Sequence, residues 1–584
     1  MLTTPSITTA SGIPWVMRLV DERPAYAIAQ AHGIPEIIAR IIAARGVAIE
    51  DADAYLKPSL KNSLPDPSHL RDMDAGVARM VQAIEQRETI AVFGDYDVDG
   101  ATSSALLMLY AQAIGITLLP YIPDRVKEGY GPNIAAFDTL IDKGTSLILT
   151  VDCGTLAYAQ VAHANARGCD VIILDHHTAE AHLPKACATI NPNRLDETSE
   201  HRTLAAVGVT FLFLVAMNRA LRTKGFFSAG QSEPDLLSML DIVALGTVAD
   251  VVPLKGLNRV LVAQGLKVMA ARRSVGLAAL MDVARLDEKP GTYHLGYLLG
   301  PRINAGGRVG EAGLGLELLT TQDAIHAHTM AQTLDRYNQE RQAIEAGVLA
   351  QAMEKAEAQA NQPVMLIASE GWHQGVIGIV AGRIKEQWQR PTAVVALEGG
   401  MGKASARSVD GADFGAAVHS AHALGLIEAG GGHAMAAGFT VREDKLDALH
   451  SFLNERMAGA VADYAAGRTL KLDGWLSCAG ATLELLEQIE QAGPFGAGNP
   501  QPRFGLREVS VVNISVMKEK HLRLVLADKN GKGRLNAVAF SVAGTTLGEA
   551  LTSRKTLHLA GSLKKNQWQG NTSVQFMIDD AAWG

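Results

Sequence analysis

Three carboxylates alternate along Gly94-Asp95-Tyr96-Asp97-Val98-Asp99-Gly100, directly after the apolar run 89–93. Two like charges about 4 Å apart at an effective dielectric of about 20 repel by roughly 4 kcal/mol, so ionised carboxylates held together require a metal ion, basic groups or water between them. Further candidate ligands recur along the chain. The run 146–151 ends in Asp152, the run 170–174 ends in Asp175-His176-His177, and the run 241–249 ends in Asp250. Carboxylates combined with imidazole suit Mn²⁺ or Mg²⁺, and the histidine tilts the choice toward manganese. Zinc held by thiolates fits less well, because Cys153, Cys169, Cys187 and Cys478 show no Cys-x-x-Cys spacing. A lone aspartate at such a turn is more often a helix N-cap, and Asp99 before Ala101-Thr102 would serve as one. The joint pattern of Asp97, Asp99, Asp152, His176, His177 and Asp250 at successive strand ends is what points to a metal site.

Such side chains need elements to gather them. Helix-length stretches at 101–114, 133–143 and 156–167 separate the first apolar runs and close on Gly115, Gly144 and Gly168, residues suited to a left-handed C-cap. Strands alternating with helices predict an α/β fold with a parallel sheet covered on both faces, its ligands lying beyond the carboxyl ends of the strands. Apolar spacing at Ile325, Met330, Leu334, Tyr337, Ile344, Val348 and Met353 predicts one long helix from Gln322 to about Asn361, roughly 55 to 60 Å in length. Strand-like runs at 363–368 and 392–397 then flank a helix-like 376–389 in a lobe rich in glycine turns. There Lys403, Ser405, Arg407 and His433 form either a phosphate cradle or a set of tight turns with incidental basic side chains.

The chain has 584 residues, enough for three or four domains with cores of their own. Its formal net charge of −8 is unevenly spread: residues 501–584 hold twelve Lys or Arg against six Asp or Glu. Those basic residues alternate with apolar ones in short runs broken by Gly and Asn, a pattern that predicts a small antiparallel barrel. Trp568 is a candidate for stacking on bases, whereas Phe540 is expected in the core. Four unpatterned cysteines, no basic-then-apolar leader and no uninterrupted apolar stretch of about 20 residues predict a reducing cytoplasm and no membrane insertion.

The Asp175-His176-His177 triplet, with Asp97-Val98-Asp99-Gly100 and Asp152, resembles the signature of the DHH phosphoesterase superfamily. Within it the chain is similar to the RecJ family of bacterial single-strand-specific 5′-to-3′ exonucleases. The similarity extends through Pro301-Arg302-Ile303-Asn304-Ala305-Gly306-Gly307-Arg308, Gly371-Trp372-His373-Gln374-Gly375, Gly402-Lys403-Ala404-Ser405-Ala406-Arg407-Ser408, Gly430-Gly431-Gly432-His433 and Gly493-Pro494-Phe495-Gly496. The resemblance implies five parts: an N-terminal segment, 1–70, packing on the DHH core; a DHH catalytic domain, 71–320; the long connecting helix, 321–360; a smaller α/β DHH-associated substrate-binding domain, 361–465; and an OB-fold-like nucleic-acid-binding barrel, 466–584.

It also implies roles. Asp97 and Asp99 would hold separate metals of a two-ion Mn²⁺ or Mg²⁺ centre, Asp152 and Asp250 would be shared ligands, and His176 a ligand. His177 would be a second ligand or a transition-state contact. Related phosphoesterases place a metal-binding histidine four residues before Asp97; that position here is Phe93, and Asp95 is the residue able to replace it. Arg125 would anchor a 5′ phosphate, while Arg302, Asn304 and Arg308 would hold nearby backbone phosphates. The expected activity is hydrolysis of single-stranded DNA from its 5′ end to 5′-mononucleotides, in DNA repair and recombination, by a monomer working with a single-strand-binding protein and a helicase. The alternatives are a DHH phosphodiesterase for oligonucleotides or cyclic dinucleotides and a non-catalytic single-strand-binding protein.

Overall fold

In the computed structural model, described residues are 8–125, 127–129, 131–229, 231–553, 555–568 and 570–583. They form two compact units. One comprises residues 64–252 and 264–467, the other residues up to 63 with 253–263 and 468–584.

The first unit opens with a five-stranded, all-parallel sheet. Its spatial order is Leu118–Tyr121, Thr89–Gly94, Thr145–Val151, Asp170–Leu174, Ala188–Ile190. Chain order therefore reverses between the Thr89 and Thr145 strands, and a crevice opens at such a switch point beyond the strand ends. The strands read as continuous apolar runs because both faces are buried, by Phe137, Leu140, Val161 and Ala164 on one side among others. Gly115, Gly144 and Gly168 all adopt positive φ where the sequence places helix ends. The helix after the acidic turn spans Val98–Ala113. A helix at Ala206–Thr223 is apolar and long enough to cross a membrane by length and composition, yet 72% of it is buried inside the protein, as a core helix is.

Two expectations change here. The run before Asp250 is a helix, Leu240–Ala249, with Asp250 as its C-cap, rather than a strand. Its residues are apolar on every side because it is buried on every side, and a short apolar run without periodicity fits either element. The long helix is Ala324–Glu357, 34 residues, or about 51 Å. It starts where the Asp323 carboxylate accepts from the amides of Ile325 and His326.

Beyond it lies a mixed five-stranded sheet in which Met365–Glu370 and Thr392–Glu398 pair in parallel and Met401–Arg407, Ala436–Arg442 and Ala429–His433 follow antiparallel. Helix Ile377–Trp388 packs one face, around Val380, Ala381 and Ile384. Helices Phe414–Ala423 and Leu446–Gly467 cover the other, around Phe414, Val418, Leu449 and Leu453.

The second unit contains a barrel that closes because Phe504–Met517 pairs with both His521–Asp528 and Leu557–Trp568. It is not wholly antiparallel: Arg534–Ala539 runs parallel to Asn571–Trp583. Phe540 is exposed, edge-on to His521, instead of buried; it follows the last residue of its strand and so leaves the inward alternation. The side chain of Trp568 lies outside the described residues. The N-terminal segment also belongs to this unit rather than to the DHH core. Ile28, Ile38, Ile41 and Ile42 share a core with Leu486, Ile489, Phe504 and Leu506, and Trp15–Met17 pairs in parallel with Leu470–Leu472. The amphipathic spacing of 36–43 could find any apolar partner, so sequence pattern alone does not select which.

Candidate metal centre and anion cleft

The acidic turn is held by its own backbone. Asp97, not Asp99, caps the Val98 helix: its Oδ1 accepts from the amides of Asp99 at 2.8 Å and Gly100 at 3.2 Å. A Cβ on Gly100 would stand 2.3 Å from the Asp95 carbonyl oxygen, so only glycine permits the turn to fold back this closely. Asp99, two residues on in the first turn, faces the N-terminus of helix Ala206–Thr223. Its carboxylate accepts from the amides of Ala206 at 2.7 Å and Val207 at 2.9 Å, where unsatisfied amides favour an anion. Asp152 leaves its strand in a left-handed conformation, φ 60°, with its amide on Leu174. Val251, β-branched and also left-handed at φ 64°, ends the helix that carries Asp250; a strained residue of that kind costs roughly 1–3 kcal/mol and recurs at functional sites.

These elements converge on His176. Its Nε2 lies 3.2 Å from Asp152 Oδ1, 3.6 Å from Asp250 Oδ2 and 3.8 Å from Asp99 Oδ2. Ligand atoms fall into three overlapping groups, each within 4.8 Å: Asp95, Asp97 and Asp152; Asp99, His176 and Asp250; Asp152, His176 and His177. The structure thus brings together every candidate ligand, Asp95 included. Phe93 is core, stacked on Tyr121 and edge-on to Phe137.

The cluster is unbalanced without a cation. Burial, then the neighbouring Asp97, pushes Asp99 up to about 7 and holds Asp95 and Asp152 well above the ordinary carboxylate range. Burial with Asp99 and Asp97 pushes Asp250 up to about 9. Burial, helped by His177, lowers His176 to about 4, leaving the neutral imidazole that a metal requires. Asp95 Oδ1, Asp250 Oδ2 and His176 Nε2 are buried and make no hydrogen bond among the described residues. Buried oxygen atoms left open beside a neutral imidazole fit hard divalent cations.

Asp175 plays a part the sequence did not disclose. Its Oδ1 accepts from the backbone amides of His176 and His177 and from His177 Nδ1 at 2.7 Å, while Oδ2 accepts from the Thr155 amide. Burial would lower His177, but the Asp175 carboxylate outweighs it and raises the imidazole to about 9. Asn193 and Asn191 donate to the carbonyls of His176 and His177. Such partners behind a ligand fix its tautomer and direction. The signal was present in the triplet, yet nothing in it says which of its three residues points away from the metals.

Guanidinium groups gather in the same unit. Arg308 donates to the Gly375 carbonyl at 2.7 Å; burial first, then Arg125, Arg341 and Arg407, lowers it to about 10. Arg407 is lowered by burial and by Arg125, and it donates to Ser405 Oγ and the Ala406 carbonyl. Arg125 lies over the Tyr96 ring, 4.8 Å from its centroid. Lys403, Ser405 and Arg407 share one face of their strand by alternation. Register places Arg407 opposite Ala436 and Ala436 opposite His433, so exposed His433 joins that row. Ser405 and Arg407 also abut the first turn of helix Ile377–Trp388, where a Cβ on Gly378 would stand 2.8 Å from Ser405 Oγ.

One predicted contact differs. Arg302 is occupied by Asp335, at 2.9 Å, and by the Leu298 carbonyl; it braces its helix against the long one because the helical phase of 300–309 turns it there. Asn304 is half-buried on the same helix. Sequence reasoning missed Arg341, buried on the long helix with Glu345 and Asn338. A lone basic residue inside an amphipathic helix carries no motif.

Known proteins share this architecture. Residues 89–247 match the DHH family, N-terminal domain, residues 361–459 the DHHA1 domain and residues 472–580 the RecJ OB domain. The single-stranded-DNA-specific exonuclease RecJ of Dickeya dadantii (strain 3937) is 36% identical over 97% of this chain and 99% of that protein. That of Thermus thermophilus is 33% identical over 92% of this chain and 76% of its own length. The crystal structure of RecJ from Thermus thermophilus in complex with Mn²⁺ superposes with a TM-score of 0.80 at 28% identity, covering 98% of this chain and 79% of that one. Its Mg²⁺ complex gives 0.75 over 98% of this chain and 78% of that one. With all three regions matched and the identity running through nearly the whole length of both chains, this chain belongs to the RecJ family of DHH phosphoesterases.

Proposed function

We propose that the protein is a divalent-metal-dependent exonuclease that shortens single-stranded DNA from its 5′ end and releases 5′-mononucleotides. The observation that carries this reading is the three overlapping ligand groups, which share Asp152 and His176. When bound, two Mn²⁺ or Mg²⁺ ions supply an activated water and neutralise charge on the scissile phosphate. Asp95, Asp97 and Asp152 would hold one ion and Asp99, His176 and Asp250 the other, with Asp152 close to both. His177, held by Asp175 at Nδ1 and raised to about 9, would bring positive charge to a phosphate oxygen at the transition state.

Arg125, Arg308 and Arg407 would take the terminal phosphate, since burial lowers the proton affinity of Arg308 and Arg407 and an anion relieves that cost. Anchoring the end there sets how many nucleotides reach the metals. Lys403, Ser405 and His433 would line the same path, and Asn304 would contact the backbone further along. The basic barrel would guide the incoming strand by phosphate contacts. We place the enzyme in the cytoplasm, where its four free cysteines stay reduced, acting as a monomer with a single-strand-binding protein and a helicase in DNA repair and recombination.

Product analysis on 5′-labelled and 3′-labelled single strands, with and without Mn²⁺, tests the reading. Labelled mononucleotide should appear at once from the 5′ label and only with metal. Early release from the 3′ label, or turnover of dinucleotides alone, would refute it.

A further inference from the structure

Residues 292–309 form one helix that widens midway: Thr292–His294 is α-helical, Leu295–Leu299 is a π turn, and Gly300–Val309 is α-helical again. Pro301 accounts for the change. It has no amide hydrogen to give to the carbonyl four residues back, so the regular ladder cannot pass through it. Arg302 recovers one carbonyl of the widened turn by donating to Leu298 at 2.7 Å. His294 pins the start, with Nδ1 accepting from the Gly291 amide at 3.0 Å and Nε2 lying 3.0 Å from Glu288. A π turn so supported recurs at functional sites.

This turn presents Tyr293 and Tyr297 outward, 63% and 74% exposed. Their rings stack, with centroids 5.3 Å apart and planes 24° from parallel. The turn is seated on the elements that carry the acid cluster. A Cβ on Gly296 would stand 3.6 Å from Val248, and one on Gly300 would stand 3.4 Å from Ala249 and 3.9 Å from Val98. Val248 and Ala249 lead into Asp250, and Val98 sits between Asp97 and Asp99. One backbone frame therefore fixes both the ligands and the aromatic pair.

We propose that Tyr293 and Tyr297 are a stacking platform for nucleobases of the strand held at the acid cluster, an inference that rests on the exonuclease reading above. Every base offers a π face, so such a platform tolerates any sequence. Bases of a duplex already stack on their neighbours and pair across the helix, so they have no free face to offer. The platform thus adds to the preference for single strands.

The test uses the full chain with Mn²⁺ and steady-state kinetics on a 5′-phosphorylated single strand and on the same strand carrying an internal abasic tract. The wild type should show KM raised about tenfold on the abasic strand. The double variant Y293A/Y297A should show that raised KM on both strands with kcat unchanged, and Y293F/Y297F, which keeps the rings, should match the wild type. Equal KM for wild type and the alanine variant on the base-bearing strand would overturn the proposal, as would wild-type KM that ignores the abasic tract. If the alanine variant does not fold, Y293L/Y297L carries the same test. No nucleotide release by the wild type from any strand would overturn the exonuclease reading, and the platform with it.

Discussion

The acid cluster and the guanidinium cluster are opposite in charge but alike in their difficulty. One buries carboxylates until their proton affinity rises, with Asp250 at about 9; the other buries guanidinium groups until theirs falls, with Arg308 at about 10. Each concentrates one sign of charge where burial makes that costly. They differ in construction. The acids come from strand ends and helix termini whose backbone amides already hold Asp97 and Asp99 in place, whereas the arginines come from a loop, two helices and a strand and are held through their own long side chains. A metal centre needs fixed ligand geometry, while guanidinium forks on long side chains can adjust their reach to a phosphate.

Substitutions can break that contrast. Asp99→Ala should lower kcat by about a thousandfold, by removing charge that acts on the transition state, while single-strand affinity persists; turnover near wild type at limiting Mn²⁺ would remove Asp99 from the centre. Asp175→Asn should cost roughly 10- to 100-fold in activity or Mn²⁺ affinity, because it releases His177 without deleting a ligand. Isothermal titration with Mn²⁺ beside kinetics checks this. Arg407→Ala should raise KM about tenfold with kcat unchanged and reduce the slope of log affinity against log salt by about 1. A fall in kcat with constant KM would assign Arg407 to the chemistry instead.

The acid cluster also predicts a pH effect of known sign. Asp99 and Asp250 have folded-state values of about 7 and about 9, above the ordinary 3.8. A carboxyl with a raised folded value stabilises the fold while protonated, and that stability is lost as pH rises through the folded value. Metal-free protein should therefore lose stability between pH 6 and 9, and bound Mn²⁺ should reverse the loss. The Mn²⁺-induced rise in Tm should exceed its pH 6 value by roughly 2–4 °C at pH 9, as scanning calorimetry would show. The smallest effect belongs to Phe93→Leu. It should cost about 1 kcal/mol of stability and leave Mn²⁺ affinity unchanged, since Phe93 packs against Tyr121 and Phe137 rather than facing the ligands.

Legibility follows the same division. The acid cluster was readable because Asp95, Asp97 and Asp99 alternate within five residues and Asp152 and His176 follow short apolar runs set between helix-length stretches. Asp250 was found, but on the wrong kind of element, because complete burial erases the periodicity that separates helix from strand. Arg407 stood out beside glycines; Arg341 did not, since its significance depends on which helix face meets Arg308. The orienting role of Asp175 depends on a side-chain direction that no spacing encodes. The docking of residues 8–63 was misread for a similar reason, as an apolar helix face states that it needs a partner and not which one.

That docking bears on how the chain is made. Ile28, Ile38, Ile41 and Ile42 leave the ribosome early, but the segment that covers them begins at residue 468. At about 5–20 residues per second, the gap from residue 63 amounts to roughly 20–80 s. Within that interval the sheet of 89–190 is free to fold and, once residue 250 has emerged, the acid cluster to load metal, while the first helices wait with their apolar faces bare. The nascent chain thus assembles from the middle outward, and the exposed N-terminal helices are where a chaperone would be needed first.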